Sequence, residues 1–105
     1  MEIIVHTKRP STLIDSIKRG INDGELKTWE IKLDNKGEIL FNHLPVQWND
    51  KALIKPYISY EKLTLKIVWW NGHEPEENIK GYIIGRFTEI LMVHFRRQFD
   101  FLEIR

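Results

Sequence analysis

Three residues on the most periodic stretch of the chain are candidates for acid–base chemistry: Arg86, Glu89 and His94. Arg86 and Glu89 stand about one helical turn apart, a spacing commonly used for a solvated or inter-element ion pair. His94 falls inside an apolar arc beside Ile90 and Leu91. A histidine at a core edge ordinarily bonds a backbone carbonyl or a neighbouring side chain. The sharper reading makes it a general base or acid at the floor of a cleft between helix and sheet. Of the other histidines, His6 ends a strand, and His43 and His73 fall in loops where acidic neighbours could join them. No pair has a spacing such as H-x-x-x-H, so neither a metal site nor a cofactor is expected.

A second group could bind rather than react. Lys32, Lys55, Lys66, Tyr57 and Trp70 are expected on one open sheet face, where an aromatic beside lysines stacks on bases or anchors a protein. Trp48 lies in a proline-containing loop and joins this set as a binding candidate. The plainer alternative folds Trp48 over Trp70 to close the end of the sheet. No nucleophile elbow, P-loop or dinucleotide fingerprint is present.

These residues need elements to hold them. Residues 79–99 read as one long helix, with Ile79, Ile83, Phe87, Ile90, Leu91 and His94 on a core-facing arc. Gly81, Gly85, Thr88, Met92 and Phe99 form a second, small-sided arc. The polar sector is narrow: Glu89 and Arg96, flanked by Arg86 and Arg97. A helix with so little polar surface must be covered on more than one side. A sheet covers one side; the first helix or a partner covers another, with packing by the first helix favoured.

Before it, Glu2–His6 is β-branched and reads as a strand. Pro10 and the spacing of Leu13, Ile14, Ile17 and Ile21 predict a helix over 11–22. Clean alternation over 27–33 puts Trp29, Ile31 and Leu33 inward. Asp34-Asn35-Lys36-Gly37 turns the chain into a strand over 38–42. Residues 51–59 form a further strand, placed at an edge or given a bulge by Pro56. Leu63, Leu65, Ile67 and Trp69 then alternate inward, with Trp70 outward. Phe101–Ile104 is a last short strand or a frayed tail. The expected fold is α+β: an antiparallel sheet of four to five strands with two helices packed on one face.

The 105 residues suit a single domain spanning 1–105 with its own core. The absence of cysteine excludes disulfides, zinc–thiolate sites and a thiol nucleophile, and fits a cytoplasmic protein. The first residues lack the features of a signal peptide, and no apolar run reaches membrane-spanning length, so no membrane partner is expected. A net charge of +1 gives no general push toward nucleic acid. A helix–three-strand–helix run is also that of a double-stranded-RNA-binding domain. Here Glu74, Pro75, Glu76 and Glu77 stand where phosphate-gripping cations belong, which rejects that reading.

The segment Gly85-Arg86-Phe87-Thr88-Glu89-Ile90-Leu91 through His94-Phe95 resembles a stretch found in small bacterial proteins of unknown function. Thr28-Trp29, Gln47-Trp48 and the strand bearing Pro56 resemble the same family. The resemblance implies a bacterial origin and that Arg86, Glu89 and His94 belong together. It implies no mechanism.

Three functions follow as expectations. The first is a non-enzymatic protein-interaction domain, homodimer included, using the open sheet face or the flank of the long helix. The second is nucleic-acid binding through Lys32, Lys55, Lys66, Tyr57 and Trp70. The third is a small enzyme with a pocket of His94, Arg86 and Glu89.

Overall fold

A computed structural model describes residues 1–105. In chain order the elements are β1 (Glu2–His6), α1 (Pro10–Asn22), β2 (Trp29–Leu33), β3 (Ile39–His43), β4 (Leu53–Ser59), β5 (Lys62–Val68), α2 (Glu77–His94), a 3-10 turn at Arg96–Gln98, and β6 (Phe101–Ile104). The strands form one sheet in the order β2-β3-β4-β5-β1-β6, with every neighbouring pair antiparallel. The fold is therefore α+β, with a sixth strand where four to five were expected.

Local chemistry explains the hairpins. Asp34 accepts the backbone N–H groups of Lys36 and Glu38 at 2.9 Å each, and Gly37 takes φ +79°, which closes β2 onto β3. Strand alternation then sorts the faces. Ile3 and Val5 of β1 lie opposite Leu65 and Leu63 of β5, while Ile54 of β4 joins Phe41 on one side to Ile67 on the other. All seven are buried. Leu13, Ile14 and Ile17 of α1 and Ile83, Ile84, Phe87, Ile90 and Leu91 of α2 complete the same core, so both helices cover one sheet face.

The sixth strand is β6, the segment left open between strand and frayed tail. It pairs with β1 from Ile3↔Ile104 to His6↔Phe101. The His6 ring stacks on Phe101 at 4.1 Å, and His6 Nε2 hydrogen-bonds Glu103. For β6 to reach that edge, α2 must end early. It stops at His94, five residues before the expected end at Phe99. Arg96 secures the reversal by donating to the carbonyls of Phe99 (2.9 Å) and Asp100 (3.4 Å). Phe99 is buried, but from an extended backbone rather than a helical arc.

Three further expectations are corrected. Pro56 is in an interior strand of the sheet. It is tolerated because β3 pairs with β4 only at Leu53 and Ile54, so Pro56 has a neighbour on one side alone. Trp69 is not a core residue: β5 ends at Val68, the alternation lapses, and Trp69 is exposed. Gly81 and Gly85 do not receive α1. A Cβ at either position would meet nothing within 4 Å, and the glycine under a close neighbour is Gly20 of α1, beside Leu26 and Phe95. No helix is long and apolar enough to cross a membrane.

Candidate ligand cleft and uncovered helix flank

The segment between α1 and β2, the adjoining ends of β2 and β3, the β3–β4 loop and the C-terminal half of α2 line a cleft of about 510 Å³. Arg86, Glu89 and His94 all line it, together with Trp48 and His43. The sequence reading set these three helix residues around one pocket. It erred on His94, which is exposed at the end of α2 rather than set in the apolar arc. The helix ends at that residue, and Phe95 carries the buried contact instead.

His43 is the residue that sequence reasoning undervalued. It is the last residue of β3 rather than part of a loop, and it faces Trp29 of β2 across the ladder. Its ring stacks on the indole at 4.4 Å, and only 5% of the residue is exposed. Nδ1 donates to the Thr28 carbonyl at 3.0 Å, which fixes the proton on Nδ1 and makes Nε2 the acceptor. Nε2 has no protein partner, yet it is not among the atoms sealed from solvent. Burial pushes the imidazole pKa below its usual range; the bond to Thr28 opposes this, Arg86 lowers it further, and Glu89 partly offsets that. The result is a neutral imidazole with a free lone pair. The alternation of β3 was the available signal, since Ile39 and Phe41 point inward and His43 is next in that series.

Arg86 and Glu89 approach only to 3.9 Å and are both largely exposed, so each retains capacity for another partner. Trp48 does not fold over Trp70. It packs on Tyr82 of α2 at 5.0 Å and walls the cleft, which separates it from the sheet-face candidates. No three histidine or carboxylate side chains come together as metal ligands.

The other binding candidates lie on the opposite side of the sheet, as their alternation predicts. Lys32 is bound by Asp50 at 2.6 Å, with Glu30 at 3.7 Å, and Lys55 by Asp34 at 2.9 Å and Glu38 at 3.3 Å. Trp70 follows β5 and donates to Asp50 at 3.3 Å. Lys66 and Tyr57 remain exposed there. Two of the three lysines proposed to meet phosphates thus already have two carboxylates each, which weakens the face as a nucleic-acid surface.

At the start of α2, Lys80 is only 6% exposed. Its ammonium donates to Glu74 (2.7 Å) and Glu77 (2.9 Å) and sits 4.5 Å over the Trp69 ring. Farther along, the flank of α2 is bare. Tyr82 is 54% exposed, Met92 49% and Val93 68%, with Gly81 and Gly85 open between and beside them.

Compared with known proteins, the chain matches no family model, no curated protein and no solved structure.

Proposed function

We propose that the chain is a protein-interaction domain whose contact surface is the flank of α2 around Gly81, Tyr82, Gly85, Met92 and Val93. The supporting observation is that α1 leaves this flank uncovered. The helix is apolar on more than one side, the sheet takes one side, and on the other the chain supplies only Trp48, packed against Tyr82. Exposed Tyr82 and Met92 are residue types enriched in interface cores, and two glycines let a partner backbone approach closely. The flattened polar sector of α2 then has a cause, because it faces another chain in the working state.

The test is chemical cross-linking of the native protein, read with sedimentation for self-association. Association through α2, with itself or another chain, is expected. Gly85→Arg, which puts a long charged side chain into open space, should abolish it without unfolding the domain. Lys66→Glu, on the opposite sheet face, should leave it intact. Association that survives both Gly85→Arg and Met92→Glu would sink this reading.

A further inference from the structure

Beside that flank, with which it shares Tyr82 and Val93, we infer that the cleft at His43 binds a small aromatic carboxylate that also carries a hydrogen-bond donor. Three features of the cleft specify this chemistry. The first is His43 Nε2. A buried imidazole whose Nδ1 is already satisfied presents one remaining polar atom, and Thr28 dictates that this atom accepts rather than donates. An O–H or N–H group of the ligand is the complement. The second is Arg86, on the helix that lines the same cleft as His43. Its nearest carboxylate, Glu89, is 3.9 Å away, too long for a paired fork, so its donors are available to an anion. Arg86 and Lys27 share the lining with Glu25 and Glu89, a balance that suits a single negative charge better than the double charge of a phosphate. The third is Trp48, backed by Tyr82, an aromatic surface on which a planar ring stacks. Ile90 and Val93 continue the apolar lining, and about 510 Å³ is ample for a ring with two substituents.

A structural role for His43 accounts for less. Its Nδ1 bond ties the end of β3 to Thr28, just before β2, but that role needs neither an open Nε2 nor an arginine lining the same cleft.

The experiment titrates para-hydroxybenzoate into the isotope-labelled full chain and follows the His43 ring and the Trp48 indole N–H by NMR. Benzoate, which lacks the donor, and para-hydroxybenzamide, which lacks the charge, are the comparators. Saturable shifts at both residues are expected with para-hydroxybenzoate, at a millimolar Kd or tighter. Each comparator should bind about tenfold more weakly, the loss expected when one good polar contact goes. Arg86→Gln changes an exposed side chain, preserves the fold, and should weaken para-hydroxybenzoate by a similar factor. Absence of saturable shifts at His43 and Trp48 would overturn the inference. So would equal binding of all three compounds, or binding undiminished by Arg86→Gln.

Discussion

Trp29 and His43 are direct cross-strand partners on the core face of the β2–β3 hairpin, stacked at 4.4 Å with their planes 30° apart. Phe87 of α2 meets the indole edge-on at 5.1 Å and stacks on Phe41 at 5.5 Å. The imidazole is thus the outermost ring of an aromatic array that begins in the centre of the core. Its position at the cleft and its neutral state have one origin, the burial that this array imposes.

His43 should titrate below the ordinary histidine value of 6.5. The unfolded chain takes up a proton near that value while the folded chain does not. The stabilising effect of the neutral ring is therefore complete above about pH 6.5 and is lost as pH falls through the lower, folded value. NMR titration of the His43 ring reads the first quantity. Urea denaturation at several pH values, compared with His43→Gln, reads the second: the wild type should lose its advantage over the variant on acidification.

The aromatic array makes Phe87 a sensitive position. It is fully buried between Trp29 and Phe41, so Phe87→Ala should cost about 3–5 kcal/mol, a large part of the stability of a domain this size. Phe87→Leu keeps most of the volume and should cost about 1–2 kcal/mol. Denaturant midpoints check both. The leucine variant should also change the chemical shifts of the His43 ring, because Trp29 loses its backing.

Two helical glycines should respond differently to alanine. At Gly85 the new Cβ meets nothing within 4 Å, so Gly85→Ala should stabilise by about 0.5–1 kcal/mol through helix propensity. At Gly20 the Cβ would lie 3.3 Å from Leu26 Cδ1 and 3.4 Å from Cγ, so crowding should consume much of that gain. Equal stabilisation of both variants in urea would contradict this account.

Lys80→Met keeps the buried stem and removes the ammonium. It should destabilise the start of α2 and alter Trp69 fluorescence, because the cation over that ring is lost. Its hydrogen bonds to Glu74 and then Glu77 raise the lysine pKa above 10.5, and the bond to Lys80 lowers that of Glu77 below 4.5. The lysine contribution is present below pH 10.5 and is lost as pH rises through the folded value. The Glu77 contribution is present above pH 4.5 and is lost as pH falls. The difference between wild type and variant should therefore be flat across neutral pH and narrow at both extremes.

Much of the fold was legible because its signals are local. Leu63, Leu65 and Ile67 alternate, Asp34 and Gly37 make a turn, and Pro10 starts a helix, each for reasons confined to a few residues. Legibility failed where a remote contact decided the outcome. Nothing near Phe95 marks a helix stop; the helix ends because Phe101–Ile104 pairs with β1, whose residues lie far away in sequence. Trp69 looked buried only while its strand was assumed to continue. The burial of Lys80 depends likewise on Trp69 and Glu74, which only the fold brings to it.

The sequence by itself determined the α+β class, the inward-facing residues of most strands, and the presence of Arg86, Glu89 and His94 on one helix. Backbone periodicity is enough for these, since it requires only neighbours in the chain. Tertiary structure alone decided that His43 joins those residues, that Trp48 goes to Tyr82, and that α1 leaves Gly81 and Gly85 bare. Those outcomes depend on which faces meet across long sequence separations, and local residue preferences do not encode that pairing.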